Sequence, residues 1–439
     1  MGRKKVSNKC RYFLGVQEIA GMMNRINEGL HSLGIESDFF CLYEYAFANN
    51  NEYVEPAILK SYKRHTSHIR GTKKNFVKRF YYFLQMLDIF KILAYSICHY
   101  DCFLYIFGHG MFWYNLYLKN FQELEFWILK ICGKKMVMWN CGSDTRAPYC
   151  DDDVFNGDKE AMYKAIAVKA KKIRMIEKYM LMIDGIPSSH LHTIPYISFQ
   201  AIGIPIDDKE IVLKERKDKC SDCITLLHCP SNRKSKGTDY IRTIIKEIQN
   251  ERDNIEYIEV SGKPHQEVLK KMVGADIVID QLYSDTPMAG FATEAAINAV
   301  PVVVSGYYAE VYNDMIKTPI PPTLFCTPEE LKSSILYLID NKEVRERIGI
   351  AEKQYVLKYN QSKCVAQRIL QLFEGNIIDE WIVSPEENGY MFGSGISKRE
   401  VIDNVCWLID TYGDESLHIA KNSKLYCNYM ELYKEQKNM

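Results

Sequence analysis

The chain has 439 residues, 47% of them apolar and 26% charged, with 56 Lys and Arg balanced by 56 Asp and Glu. That length exceeds what one hydrophobic core usually fills, and the composition excludes a disordered or collagen-like chain, so two domains are expected. Charge is uneven: 27 basic against 19 acidic residues up to residue 200, then 29 against 37, which fits two domains with different partners and excludes a whole-chain nucleic-acid binder.

Tyr12 to Val16 reads as a strand, Gln17 to Gly21 as a turn, and Met22, Ile26, Leu30 and Leu33 recur at helical spacing until Gly34 closes the helix. Ser37 to Leu42 is a second strand, and together these form the opening βαβ unit of a parallel sheet. Between Lys60 and Arg79 there are eight Lys or Arg and no acid, followed by Phe80, Tyr81, Tyr82, Phe83, Leu84, Leu87, Ile89 and Phe90. Residues 60–90 therefore suit either peripheral contact with an anionic membrane or a solvated basic helix leading into a core helix.

Strands at Cys102 to Phe107 and Lys135 to Trp139 end in the loops Gly108-His109-Gly110 and Asn140-Cys141-Gly142-Ser143-Asp144. In open α/β sheets such loops face the ligand cleft, which makes His109, Asn140 and Asp144 acceptor-side candidates. A helical stretch runs from Lys159 to about Ile183, and Asp208 to Lys219 reads as the interdomain linker. The second half alternates: strand Ile224 to His228, helix Thr238 to Asn250, strand Ile255 to Val260, helix His265 to Val273, strand Ala275 to Asp280. A loop from Gln281 to Phe291, a helix from Thr293 to Asn298 and a strand from Val300 to Val304 follow. This alternation means a parallel sheet covered on both faces. Thr327-Pro328-Glu329-Glu330 reads as the N-cap and first turn of another helix, and Ser397-Lys398-Arg399-Glu400 has capping-box spacing before a helical tail. The expected domains are 1–207, 208–375 and a helical tail, 376–439.

Fourteen cysteines at irregular spacing, several in apolar runs, suit buried thiols in a reducing compartment. Cys220-x-x-Cys223, with Cys229 nearby, lacks the partners of a tetrahedral zinc site, and Asp151-Asp152-Asp153 reads as a solvated acidic turn, so no metal is expected. The basic start of the chain leads into no long apolar run, and no uncharged apolar stretch reaches about 18 residues. A cytoplasmic protein, at most peripheral at the inner membrane face, is expected.

Two runs carry the chemistry. His228-Cys229-Pro230-Ser231-Asn232-Arg233-Lys234-Ser235-Lys236-Gly237-Thr238 leaves a strand, gathers three cations and a glycine, and enters a helix. Such a loop suits a diphosphate, because cations and the free amides of the helix start attract an anion; alone it is equally a basic surface turn. In Gly290-Phe291-Ala292-Thr293-Glu294-Ala295-Ala296, a glycine precedes a short helix with one acid. A carboxylate there can accept hydrogen bonds from the vicinal hydroxyls of a ribose, or be only a first-turn acid.

Together with the Ala275 to Gln281 strand, these runs resemble the nucleotide-binding domain of the glycosyltransferase group 1 family, a retaining branch of the GT-B superfamily. The match extends over about residues 222–375. The first half is similar more loosely, at Ile19-Ala20-Gly21, Gly142-Ser143-Asp144-Thr145-Arg146 and Gly203-Ile204-Pro205-Ile206-Asp207. The resemblance implies two Rossmann-like domains with parallel sheets facing a central cleft. It implies that Arg233 and Lys236 hold the donor pyrophosphate, Glu294 the ribose, and the backbone of Gly290, Phe291, Ala292 and Thr293 the phosphate or sugar, with Gly21 bordering the phosphates. Two departures stand out. Where the family has a second acid this chain has Thr286, with Asp285 next door as a candidate substitute, and where many members have His it has Cys141.

The leading expectation is transfer of a hexose or N-acetylhexosamine from a UDP- or GDP-sugar to a glycan or lipid-linked glycan, with retention and with no cofactor or metal. Arg233, Lys236 and Asp285 are the catalytic candidates. The alternatives are a GT-B-fold sugar-nucleotide epimerase and a catalytically degenerate partner subunit of another glycosyltransferase.

Overall fold

A computed structural model describes residues 10–44, 54–151, 157–185, 187–212, 223–315 and 317–438. The basic start of the chain, Asp152, Asp153, the linker stretch Lys214 to Lys219 and Cys220 lie outside the described residues. In chain order the elements are β1 (Tyr12–Glu18), α1 (Met22–Ser32), β2 (Ser37–Glu44), α2 (Leu59–Gly71), α3 (Asn75–His99), β3 (Cys102–Ile106), α4 (Gln122–Ile131) and β4 (Lys135–Trp139). Next come α5 (Lys159–Glu177), β5 (Leu181–Asp184), β6 (Tyr196–Ser198), α6 (Phe199–Ile202), β7 (Ile224–His228), α7 (Thr238–Glu251), β8 (Ile255–Glu259), α8 (His265–Val273) and β9 (Ile277–Ile279). The chain continues with α9 (Gly290–Ile297), β10 (Val302–Ser305), α10 (Tyr312–Met315), β11 (Leu324–Cys326), α11 (Leu331–Asp340), α12 (Lys342–Tyr359) and α13 (Ser362–Glu374). It closes with β12 (Ile382–Val383), α14 (Lys398–Tyr412) and α15 (Lys424–Asn438).

These elements form two compact units, one from residues 1–141, 175–183 and 362–377, the other from 142–174, 184–361 and 378–439. In the first unit five strands run parallel in the order β5-β4-β3-β1-β2. Strands β1 and β3 are buried along their whole length, as expected of central strands in a parallel sheet. Phe13 of β1 stacks on Phe40 of β2 and Phe103 of β3, with ring centroids 4.6 and 5.0 Å apart. Helix α1 lies against α13 so closely that a Cβ on Gly29 would stand 2.3 Å from the Ser362 carbonyl oxygen.

In the second unit the strands run in the order β11-β10-β9-β7-β8, every neighbouring pair parallel. Alternate side chains feed two separate cores. Leu227, Val278, Val302 and Val304 pack with Met272 of α8, Ala295 of α9 and Val356 of α12. Leu226, Ile277, Ile279 and Val303 pack with Ile241 and Ile245 of α7 and Leu338 of α11. The sheet is therefore covered on both faces, the arrangement that its unbroken apolar strands require. The short strands β6 and β12, both in this unit, pair antiparallel.

The two Rossmann-like α/β sheets and the helical C-terminal region agree with the sequence reading, and Ser397 and Glu400 form the expected capping box. Several details differ, among them these. The helix from Lys159 ends at Glu177, and Leu181–Asp184 is a strand, because an apolar run this short takes its form from the neighbour it pairs with, here β4. Strand β1 continues to Glu18, so the turn before α1 is only three residues long. Helix α9 starts at Gly290 instead of Thr293. Thr327 does not cap a helix. Its N–H and hydroxyl donate to Glu330, 3.1 and 3.0 Å away, and α11 starts only at Leu331. No helix among the described residues is long and apolar enough to cross a membrane.

Candidate functional site

The cation loop leaves the C-terminal end of β7, and a second loop leaves the C-terminal end of its sheet neighbour β9. Gly237 joins them. It has φ +65°, and a Cβ there would lie 2.5 Å from the Leu282 Cβ, so any other residue would be strained and would push the loops apart. The Leu282 N–H donates to the Lys236 carbonyl at 3.2 Å, and His228 at the loop's root lies 3.0 Å from the Thr238 hydroxyl. The Lys236 ammonium reaches the buried Asp280 at 2.9 Å and also the Gln281 side-chain oxygen. Arg233 is more open, with its guanidinium 3.2 Å from Glu259, which also takes both forks of Arg242.

Glu294 projects from α9 and accepts from His265, the first residue of α8, at 2.8 Å through one oxygen; its other oxygen has no partner among the described residues. It lies beside the cation loop. Burial first, then the charges of Asp280, Glu294 and Glu259, push the Cys229 thiol at the loop's root up to about 12. Ala292 and Thr293 are buried, the Thr293 hydroxyl donating to the Ala289 carbonyl at 2.9 Å, whereas Gly290 has open space where a Cβ would stand. Phe291 is half-buried against the core beneath.

Asp285 ties the loop to Arg146 and Ser188, and Thr286 bonds within the loop. The Arg146 Nε donates to Asp285 at 2.8 Å and Nη1 donates to Asp151 at 3.0 Å, while the Ser188 hydroxyl also donates to Asp285. Burial works against the Arg146 charge, but Asp285 and Asp151 outweigh it and raise its pKa further. Thr286 bonds within its own turn, its N–H to the Ser284 hydroxyl at 3.2 Å and its hydroxyl to the Met288 N–H at 3.4 Å.

In the first unit, β1, β3 and β4 are neighbours, and their C-terminal ends gather Gly21, His109 and Asn140. The amides there already have an anion. Glu18 is buried and accepts the N–H groups of Ile19, Met23 and Asn24 at 2.8, 3.3 and 3.1 Å, filling the start of α1 beside Gly21 with a carboxylate. The His109 ring stacks on Trp113, centroids 4.3 Å apart, and its Nδ1 lies 3.2 Å from the Tyr114 hydroxyl. The loop holding it is fixed by the buried Glu125, which accepts from Met111, Phe112 and Tyr105 at 2.8–2.9 Å. Asn140 is buried, and its N–H donates to the Ile183 carbonyl. Asp144 belongs to the second unit, so the structure places His109 and Asn140 in one unit and Asp144 in the other.

The sequence reading passed over Glu18, Ser188, Asp280 and His265. A carboxylate one residue before a short glycine turn was a signal for Glu18; the others act through partners distant in sequence. Two open depressions of about 510 and 390 Å³ in the first unit contain no candidate residue. Among the described residues no group of three or more His, Cys, Asp or Glu could hold a metal ion.

No protein-family model matches the sequence, and no curated protein matches it. Among solved structures the chain is similar to sucrose-phosphate synthase from Thermosynechococcus elongatus, with TM-score 0.48, 13% identity and coverage of 84% of this chain and 99% of that one. It is similar to an α,α-trehalose-phosphate synthase (UDP-forming) from Burkholderia vietnamiensis, with TM-score 0.47, 7% identity and coverage of 83% and 97%. A third similar structure is HepE of Anabaena in complex with UDP, with TM-score 0.46, 10% identity and coverage of 83% and 100%.

Proposed function

We propose that the protein is a GT-B glycosyltransferase that takes a sugar from a UDP- or GDP-sugar and transfers it, with retention, to a glycan or lipid-linked glycan. One observation carries this reading: the hydrogen-bonded pair of loops at the ends of β7 and β9, with Arg233 and Lys236 on one and the Glu294 carboxylate beside it. In the reaction the bond between the sugar's anomeric carbon and the diphosphate oxygen breaks, and a bond to the acceptor's hydroxyl oxygen forms. The acceptor's proton passes to the departing phosphate. Arg233 and Lys236 neutralise the charge that grows on that diphosphate, the place where fixed cations lower a barrier most. Lys236 is held there by Asp280 and Gln281, so little reorganisation is needed at the moment of reaction. Glu294, oriented by His265, offers its second oxygen to the ribose hydroxyls.

Asp285 is a positioning residue in this scheme, because its carboxylate is committed to Arg146 and Ser188. With Thr286 also turned inward, the second family acid has no equivalent in this loop, and this favours the partner-subunit alternative over the epimerase as the second reading.

Thermal unfolding with UDP, GDP, ADP and their sugar conjugates tests the proposal. One nucleoside diphosphate should raise the melting temperature, and Arg233→Ala and Glu294→Ala should each cost at least tenfold in its affinity, since charge-assisted hydrogen bonds are worth about 1.5–3 kcal/mol. Slow hydrolysis of the matching sugar conjugate should follow. A shift with no nucleotide would remove the donor site, and binding without any hydrolysis or transfer would favour the partner subunit.

A further inference from the structure

Helix α3 carries two opposed faces. Ile89, Ile92 and Leu93 are buried, and the helix is tied to α2 by Asp88, 2.6 Å from His65, and by Gln85, 2.9 Å from Thr66. On the other side Phe76, Phe80, Phe83, Leu87 and Phe90 recur at i, i+4, i+7, i+11 and i+14, one stripe along the helix, and all five are exposed; Phe76 is 84% exposed. The segment after β3 extends this surface. It is joined to α3 by Asn115, whose side chain donates to the Tyr82 carbonyl at 2.8 Å, and by Phe112, whose ring meets Phe90 edge-on at 5.5 Å. It exposes Trp113, Leu116 and Phe121. A soluble surface seldom keeps so many large apolar side chains in one stripe without an occupant.

The charges identify that occupant. Lys73, Lys74 and Arg79 lie at the start of the stripe, are exposed, and have no carboxylate partner among the described residues. The only acid between residues 56 and 100 is Asp88, buried against His65. An aromatic stripe edged by unpaired cations matches the headgroup region of a negatively charged bilayer, where rings enter the acyl boundary and cations meet phosphates. A second copy of the chain would bring like charges together.

We propose that this face of the first unit docks on an anionic lipid bilayer through the α3 stripe and the 111–121 segment, with Lys73, Lys74 and Arg79 on the lipid phosphates. The protein then works at a membrane surface without crossing it, and the loop that carries His109 leads directly into the docking segment. The docking is independent of the donor site, and its test uses no nucleotide.

The test is flotation of the full chain with vesicles of phosphatidylcholine alone or with roughly 30% phosphatidylserine, a mixture that gives the negative surface potential of a cytoplasmic leaflet. Binding should require the anionic lipid and fall with salt. Lys73→Ala/Lys74→Ala/Arg79→Ala should lower partitioning about a hundredfold, since each cation near the surface is worth about fivefold. Phe76→Ser/Phe80→Ser should lower it at least tenfold, and both variants should melt like the parent because these side chains are exposed. Failure of the parent to bind, equal binding by both variants, or a dimer in solution that Phe76→Ser/Phe80→Ser dissociates would each overturn the proposal.

Discussion

Lys236 and Asp285 show how differently two charged residues of neighbouring loops are used. Lys236 keeps partial access to solvent and is steadied by Asp280, an arrangement suited to meeting an anion. Asp285 is buried, and its partner Arg146 is 139 positions away in sequence. Because Arg146 keeps Asp151 at 3.0 Å, removing the Asp285 carboxylate costs a hydrogen bond to a charged group and not a wholly orphaned charge, about 1.5–3 kcal/mol. Asp285→Asn should therefore lower the free energy of unfolding by that order in urea denaturation, and Asp285→Asn/Arg146→Met should lose less than the sum of the single variants, because the two side chains are directly coupled. An Asp285→Asn protein of unchanged stability that had lost turnover would instead make Asp285 catalytic. This pair was not legible in the sequence. Arg146 and Asp285 each stood in a run singled out for other reasons, and nothing local linked them.

At the scale of elements, what was legible is what local chemistry decides. The glycine and cations between β7 and α7, the capping box of α14 and the alternation from β7 to β10 are written in consecutive residues. The strand at Leu181–Asp184 is not, because four apolar-rich residues satisfy a helix end and a buried strand equally well. Helix α4 illustrates an element-level dependence of another kind, since its Glu125 anchors the loop after β3. Burial, against the opposing hydrogen bonds from Phe112, Met111 and Tyr105, raises Glu125 to about 7 from its ordinary 4.5. A carboxyl raised on folding holds its proton more tightly in the native state. Its stabilising contribution is complete below pH 4.5 and is lost as pH rises through 7. The stability advantage of the parent protein over Glu125→Gln should thus shrink between pH 5 and pH 8 in calorimetry. A difference independent of pH would mean that Glu125 does not change protonation in that window. At Gly237 the backbone sets the limit. Gly237→Ala must hold φ near +65° and displace Leu282, so it should cost about 1–3 kcal/mol in stability and weaken nucleotide binding by at least as much as Arg233→Ala.

For the whole molecule, the order of residues and the order of packing diverge. The first unit is assembled from three stretches of chain, and the last of them, residues 362–377, comes after the entire sheet of the second unit. Helix α13 supplies part of the first unit's core: Phe373 meets Tyr12 of β1 edge-on at 5.4 Å, its carbonyl accepts from the Lys135 ammonium at 2.7 Å, and Ala366 lies against Gly29 of α1. No local pattern announces this return, because an amphipathic helix in sequence does not name the surface it covers. The consequence is measurable. A chain ended after Gln361 keeps strands β1–β5 and β7–β11 and every candidate site residue, yet, besides residues 378–439 of the second unit, it loses the helix that covers α1 and the side chains of Ile369 and Phe373 that fill the first unit. Loss of several buried side chains at about 1.5–3 kcal/mol each exceeds the net stability of an ordinary domain. That truncated protein should be insoluble, or should show a first unit that binds hydrophobic dye and lacks cooperative unfolding, while the sheet from β7 to β11 keeps its own transition. Cooperative unfolding of the first unit without residues 362–377 would show that α13 is a surface cover and that residues 1–141 and 175–183 hold a core sufficient by themselves.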